Sequence, residues 1–293
     1  MKRNRGEFAF QAVDAFFMTV VVLLVILPFM HIASISVSSS KAVSSLSVGI
    51  FPKGFNLSAY IEILKQGIFI RSLANTVLIT VLATVLSLTV NVMAAYGFSK
   101  EFYAKKPVTY AFVITMYFSG GLVPSYILIT KWLHLNNSYL AFFLPSLVNV
   151  FYIIIIRSQI EAVPASLSEA AIIDGASEYQ VLLHITIPAI SATIAAIGMF
   201  TALAMWNIWY PVMLYSNKRE MWTLQYFLRA VVFEKYIEYM PNSSVSAVSD
   251  AESASPMNFQ NAAIILVALP IVSIYPFVQK YFVKGILAGS VKG

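Results

Sequence analysis

The chain has 293 residues, no cysteine, and 19 Lys/Arg against 13 Asp/Glu, so only 11% of it is charged and the formal net charge is +6. A soluble domain carries about 25% charged residues; with 59% hydrophobic residues and a mean hydropathy of +0.78, the composition excludes a soluble enzyme, a nucleic-acid binder and a disordered tail. The lack of cysteine removes disulfides, thiol catalysis and thiolate metal sites.

More than half of the chain lies in six stretches without a single charge: 15–40, 72–99, 107–130, 132–156, 179–217 and 253–279. About 20 apolar residues of helix cross a hydrocarbon core roughly 30 Å thick, and a charge at its centre costs at least about 2.5–3.5 kcal/mol. Six membrane spans follow. The first, 15–35, comes after the basic Met1-Lys2-Arg3-Asn4-Arg5; it is too long for the apolar core of a signal peptide and reads as an uncleaved span. An external segment, 36–72, opens Ser-rich and is long enough to contact another protein or to serve as a solvated connector. The second, third and fourth spans are 73–96, 108–130 and 139–156, the fifth is 189–214, and the sixth is 261–279. The second external segment, 215–260, holds an amphipathic stretch from Trp222 to Tyr239 and a Ser/Ala tract from Asn242 to Ser255.

All six spans should be helices, because an isolated strand leaves backbone groups unsatisfied in lipid. Runs such as Ile153-Ile154-Ile155-Ile156 lack the alternation of a membrane β-barrel. Pro28, Pro124, Pro145, Pro211, Pro270 and Pro276 are expected to be kinks tolerated by neighbouring helices. Lys and Arg near the span ends, at the termini and in the 97–107 loop, favour both termini on the cytoplasmic side. The expected architecture is an all-α membrane protein of six transmembrane helices forming a single domain, 1–293.

Residues 158–188 are neither membrane nor linker. Ser166-Leu167-Ser168-Glu169 has the spacing of a capping box, and Gly175 sits where a short helix would stop. A second box, Ser177-Glu178-Tyr179-Gln180, starts another helix that should end before Pro188. Leu167, Ala170 and Ala171 give the first helix a small apolar face suited to docking into a groove of another protein.

The order Glu169-Ala170-Ala171, three residues, Gly175, nine residues, Ile185, one residue, Ile187-Pro188 resembles the EAA motif of ABC-importer permeases, with Ile187 where the family has leucine. Phe118-Ser119-Gly120-Gly121-Leu122-Val123-Pro124-Ser125-Tyr126 resembles a signature of oligosaccharide-type carbohydrate permeases. The C-terminus, from Tyr275-Pro276-Phe277 to Gly289-Ser290-Val291-Lys292-Gly293, is similar to their terminal segment. The resemblance spans the chain and is least typical at 242–256. It implies the type I importer permease fold in a bacterial cytoplasmic (inner) membrane. It also implies a second homologous permease, an ABC ATPase dimer and an extracytoplasmic solute-binding protein as partners, with a carbohydrate, an oligosaccharide, as cargo; within the family the chain resembles the group that includes alginate- and pectin-type permeases, and the motifs do not name the sugar. On this resemblance Glu169, Ala170, Ala171, Asp174, Gly175, Ile185 and Pro188 couple the permease to the ATPase. Gly289, Val291, Lys292 and Gly293 would enter the ATPase interface.

The chain contains no phosphate-cradling G-x-x-x-x-G-K-[ST] sequence, so ATP and magnesium would be held by the partner ATPase, with no cofactor on this chain. His31, His134 and His184 are too scattered for a metal site. Paired acids for hydrolysis are absent from the spans, and the chain reads as a transport subunit and not an enzyme. Asn149, Tyr152, Trp206, Asn207 and Trp209 are candidates for a sugar path, since hydroxyl groups pair with amides and sugar faces stack on aromatic rings; helix packing and interfacial anchoring are the alternative for each. An ion-coupled secondary transporter is the competing function, disfavoured because no Asp or Glu lies in any span. A non-transporting scaffold would not need the two capped helices.

Overall fold

The computed structural model describes residues 5–233 and 255–290, with side chains described over 10–232 and 255–273. Among the described residues the protein is all-helical. Three straight helices are long and apolar enough to cross a membrane: Phe10–Ser36, Ile68–Ser99 and Pro256–Ser273; the count rises to six if each of three bent helix pairs is one crossing. The chain packs as two compact units, residues 1–69 with 228–271, and residues 70–227 with 272–293.

In the first unit, α1 (Arg5–Ser36) runs unbroken through Pro28 and buries none of its apolar window, as suits a helix whose solvent is lipid. The Ser-rich segment that follows folds back on the end of α1. Ser34, Ser36 and Ser38 are buried, and each hydroxyl has a partner: Ser34 donates to the Ile50 carbonyl, Ser36 meets the Tyr60 hydroxyl at 2.8 Å, and Ser38 donates to Ser34 O at 2.6 Å. Ser39 caps α2 (Ser40–Ser44) through the Ala42 N–H. A small core of Ile35, Val43 and Val48 sits beneath, and Tyr60 stands on α3 (Ser58–Lys65). Asn258, near the start of α15 (Pro256–Ser290), donates to Ile35 O at 2.7 Å and Ser38 O at 2.9 Å, satisfying carbonyls freed where α1 ends. Serine's small hydroxyls were thus folded into a hydrogen-bonded cap, which composition alone reads as solvent-exposed.

The second unit is organised by α4 (Ile68–Ser99), whose 32 residues give a rod about 48 Å long. The unit also contains α5 (Lys105–Tyr117), α6 (Leu122–Ile127), α7 (Leu140–Phe143), α8 (Val150–Glu161), α9 (Ala165–Ile173), α10 (Glu178–Val181), α11 (Ile187–Ala189), α12 (Ser191–Trp206) and α13 (Tyr210–Tyr215), and α14 (Leu224–Phe233) begins in it. At Gly198 of α12 an added Cβ would lie 3.0 Å from Leu88 Cδ1 of α4, so a larger residue there requires the tip of that leucine to move. A core of Val92, Ala95, Ile153, Ile156, Leu182, Ile190 and Ile197 packs beside the Ser99 end of α4.

Three of the prolines mark breaks rather than kinks. Pro124 lies just inside α6 after a 107° bend, Pro145 in a 3₁₀ turn before the 49° bend into α8, and Pro211 in the first turn of α13. Proline suits a helix start, where its missing N–H costs nothing, better than a helix interior. The stretches 108–130, 139–156 and 189–214 therefore contain pairs of shorter helices.

Candidate functional site

The loop after α8 is built in two unlike halves. Pro164 (φ −58°, ψ 125°) precedes α9 and no side chain caps it; Ser166 already lies in the first turn. The expected Ser166–Glu169 capping box is therefore not formed, because proline's fixed φ starts the helix two residues too early for it. Glu169 is left exposed on the helix surface. No residue of α9 is buried, and Leu167, Ile172 and Ile173 are 51%, 47% and 84% exposed.

The helix ends as the sequence implies. Gly175 has φ +89°, its N–H bonds Ile172 O at 3.0 Å, and the Ala176 N–H bonds Ala171 O at 2.9 Å. This pair of bonds is the Schellman closure, which needs a left-handed residue and so favours glycine. Two residues on, Ser177 and Gln180 form the reciprocal capping box: the Gln180 N–H reaches Ser177 Oγ at 3.4 Å and the Ser177 N–H reaches Gln180 Oε1 at 2.8 Å.

The second half does not end before Pro188. It passes from α10 through a wide π-helical turn, Leu182–Thr186, and through Pro188 to Ala189, then bends by 82° into α12. A regular α-helix would press the proline ring against the carbonyl four residues earlier; the wider turn ahead of it relieves that clash. Unlike α9, this half is seated: Val181, Leu182, Thr186 and Ile190 are buried. Between the two halves lies a concavity of about 350 Å³ lined by Ala171, Asp174, Gly175, Gln180, His184 and Ile185, among others.

A polar clasp ties this half to α4. The Tyr96 hydroxyl donates to Glu178 Oε2, and Lys100 Nζ lies 2.8 Å from the same oxygen and 4.7 Å from the centre of the Tyr96 ring. The hydrogen bond from Lys100, then that from Tyr96, holds the Glu178 carboxyl below the ordinary carboxylate range. Burial pulls the Lys100 ammonium down, but its bonds to Glu178 and Tyr96 outweigh that and leave it above the usual lysine value.

Deeper in the bundle, Asn91 is fully buried. Its amide donates to Ser87 O at 2.6 Å and Leu147 O at 2.8 Å, and its Oδ1 accepts the Asn149 N–H at 2.9 Å. Ser87 Oγ also donates to Leu147 O at 2.8 Å. These side chains supply the partners that the chain loses where it breaks between the 3₁₀ turn and α8, as a membrane interior requires.

The third feature is an open groove of about 570 Å³ lined by Ser119, Gly121, Leu122, Ser125, Phe142, Pro145, Ser146, Met205, Ile208, Tyr210 and Tyr215, among others. Gly121, at φ +83° and ψ 178°, makes the corner between α5 and α6, a backbone conformation essentially confined to glycine. Tyr126 stacks on Tyr215 with 6.0 Å between ring centres. Every lining residue is uncharged, and hydroxyls and aromatic rings supply the polar and stacking surface.

No family model matches the chain. The permease protein YtcP of the polygalacturonan/rhamnogalacturonan transport system of Bacillus subtilis (strain 168) is 34% identical over 281 residues, covering 94% of this chain and 96% of the relative. The chain belongs to the carbohydrate permeases of ABC importers. It is a multi-pass membrane transport subunit, not an enzyme. The permease is also similar in structure to a chain of a bacterial ABC transporter involved in the import of the acidic polysaccharide alginate, at 29% identity and a TM-score of 0.86, over 96% of this chain and 99% of that one. A second likeness, to a chain of a bacterial alginate ABC transporter in complex with an alginate pentasaccharide-bound periplasmic protein, has 16% identity and a TM-score of 0.56 over 92% of both chains, and speaks to fold alone.

Within the permease, the loop concavity brings together Ala171, Asp174, Gly175 and Ile185; Glu169 and Ala170 lie on exposed surface of α9, and Pro188 is exposed at the far end of the second half. Of the tail residues, Gly289 lies in α15, while Val291, Lys292 and Gly293 fall outside the described residues, as do most of the Ser/Ala tract and the end of the amphipathic stretch. The five path candidates do not converge on the groove. Asn149 caps α8 by accepting the Tyr152 N–H at 3.2 Å, and Tyr152 packs half-buried against the inner core. Trp206 is buried with its indole N–H unpartnered, Asn207 accepts from Gln225 at 3.1 Å, and Trp209 makes an edge contact with Tyr210. The lining comes instead from the Ser119–Ser125 signature and from Tyr210 and Tyr215. Sequence reasoning also passed over Ser87, Tyr96, Lys100 and Glu178. The four-residue spacing of Ser87 and Asn91 puts that pair on one face of α4, and Lys100 follows its last residue, but the partners of these side chains lie 56 to 82 residues away along the chain.

Proposed function

We propose that this permease forms one half of the path for an oligosaccharide, with uronate-bearing chains the best-supported class, and that α9 docks on the partner ATPase. The observation that carries the second part is the contrast within the loop: α9 buries nothing and presents Leu167, Ile172 and Ile173, while the half beyond Gly175 is seated in the bundle. An apolar helix held out on a fixed corner is stable in water only when something covers it. Glu169, Ala170, Ala171, Asp174, Gly175, Ile185 and Pro188 make up this coupling surface, with Glu169 available for a basic residue of the ATPase. The tail Gly289, Val291, Lys292 and Gly293 is proposed to enter the ATPase interface.

The cargo of the polygalacturonan/rhamnogalacturonan relative and the acidic alginate of the similar transporter support the uronate class. A groove of hydroxyls and aromatic rings without fixed charge suits passage, because a lysine or arginine there would hold a carboxylate in place. The remaining parts of the proposal are a second permease, a pair of ATPase subunits that bind ATP and magnesium, and an external solute-binding protein. The whole chain works as one domain in the cytoplasmic (inner) membrane, with both termini and the 158–188 loop inside and segments 36–72 and 215–260 outside. Closure of the ATPase pair on ATP moves α9, and the helices switch from inward to outward opening.

A photo-crosslinking residue at position 173, 84% exposed at the end of α9, tests the docking in the assembled complex. The expected product is an adduct with the ATPase subunit. Adducts with the other subunits and none with the ATPase would overturn the assignment.

A further inference from the structure

Beyond the docking surface itself, the motion of α9 has to enter the membrane helices at some particular place. The loop has one rigid corner, the Gly175 closure followed within two residues by the Ser177–Gln180 box. Glu178 is the first charged residue past that corner, and the capping box fixes the backbone that carries it. Its carboxylate is held by two side chains from the end of α4, the Tyr96 hydroxyl in its last turn and the ammonium of Lys100, the residue that follows Ser99. The neighbouring ion pairs are different in kind: Lys105–Glu101 and Arg157–Glu161 each join residues four apart in the chain and connect nothing distant. Beneath the clasp, Leu182 packs with Val92 and Ala95 of the same α4. Polar and apolar contacts therefore bind the second half of the loop to α4 on one side, while α9 stays uncovered.

α4 is also the element on which the broken helices hang. One turn beyond the apolar contact, Asn91 and Ser87 hold the break at 147–149. At its far end, Asn75 donates to the carbonyls of Glu220 and Trp222 at 2.8 and 3.0 Å, and Thr76 accepts the Leu224 N–H at 2.8 Å. A displacement imposed on the Ser99 end of this rod is delivered to hydrogen bonds at its middle and its far end.

We propose that the Tyr96–Lys100–Glu178 clasp is the transmission joint of the permease, with Glu178 a positioning residue that hands the movement of α9 to α4. This rests on the reading of α9 as the ATPase-docking helix. The joint differs from the docking surface in what its loss does. Removing it leaves the ATPase bound and its hydrolysis running, but less of each cycle reaches the path.

The test uses the full complex in proteoliposomes with its binding protein and labelled oligogalacturonide, comparing wild type with Glu178→Ala, Lys100→Ala, Tyr96→Phe and the charge exchange Glu178→Lys with Lys100→Glu. Each single variant is expected to keep the ATPase through purification and to lower sugar transported per ATP about two- to five-fold, the range of a single exposed ion pair. The exchange should restore most of the ratio, which a merely local folding role for either residue would not produce. If Glu178→Ala fails to accumulate in the membrane, Tyr96→Phe keeps the ring and removes only the hydroxyl, and carries the same expectation. Unchanged transport per ATP in the single variants, with the ATPase bound, overturns the joint and leaves the docking reading standing. Loss of the ATPase from the purified complex also overturns it, because Glu178 would then belong to the docking surface. Failure of the docking reading itself appears elsewhere, as an ATPase that stays bound when Glu169 and Ile173 are replaced by lysine.

Discussion

Replacing Asn91 by alanine removes the group that closes the break between the 3₁₀ turn at Leu144–Ser146 and α8. Asn91 donates to Ser87 O and Leu147 O and accepts the Asn149 N–H, and its side chain is fully buried. Leu147 O would keep a partner, because Ser87 Oγ also donates to it. The Asn149 N–H would lose the acceptor given above and stand in a low-dielectric interior, costing about 1–3 kcal/mol. The lost bond to Leu147 adds roughly 0.6 kcal/mol, the average for such side-chain bonds in membranes, so a total of about 1.6–3.6 kcal/mol is expected. Thr89→Val is the matched control. Its hydroxyl donates within α4 to Val85 O from an exposed position, so the cost should stay below about 0.5 kcal/mol. Reversible unfolding of the purified permease in mixed detergent micelles measures both. Equal stabilities for Asn91→Ala and Thr89→Val would refute the claim that Asn91 holds the break.

Gly175→Val should leave membrane insertion unchanged and impair ATP-driven uptake. An added Cβ there meets nothing within 4 Å, so the cost is the left-handed backbone alone, about 1–2 kcal/mol, and Gly175→Asn should be milder in the same uptake assay. Gly198→Val should destabilise the permease by about 1–3 kcal/mol in the micelle titration, because its Cβ begins 3.0 Å from Leu88 Cδ1. The clasp should also carry a pH dependence of defined sign. The Glu178 carboxyl is held low by Lys100 and then Tyr96, so its contribution is complete above the ordinary glutamate value of about 4.3 and is lost as pH falls through the lower folded value. Glu178 is largely exposed, so this amounts to less than about 1 kcal/mol. A fluorophore on the loop should report loosening on acidification in wild type and no such step in Glu178→Gln.

The membrane character of the chain was legible because charge exclusion acts on every residue of a span and leaves gaps that cannot be mistaken. The corner at Gly175 and the box at Ser177–Gln180 were legible for a related reason: both are local, fixed by residues within five positions of each other. The Ser166 box failed because Pro164, two residues earlier, starts the helix by backbone restriction before a hydroxyl can cap it. Breaks at Gly121, at 147–149 and at Asn207 were read as continuous spans, since apolar composition records what the surroundings are and not whether the helix within them is whole. The groove was not read from the sequence, and the path candidates do not line it. Trp206 and Asn207 have the chemistry of a sugar contact, yet the backbone turns Trp206 into the packed interior, while the signature Ser119–Ser125 at the glycine corner lines the open space. Serines 34, 36 and 38 and the clasp at Glu178 were hidden for one reason: their hydrogen-bond partners are distant in sequence or are backbone atoms that carry no sequence signal.

The central claim is that this permease moves sugar only when its exposed α9 is driven by an ATPase. Uptake of labelled oligogalacturonide into proteoliposomes, with the binding protein outside and ATP inside, tests it directly. The account predicts accumulation with the ATPase present, none without it, and little with Glu169→Lys. Accumulation driven by a proton or sodium gradient, with no ATPase in the membrane, would contradict it.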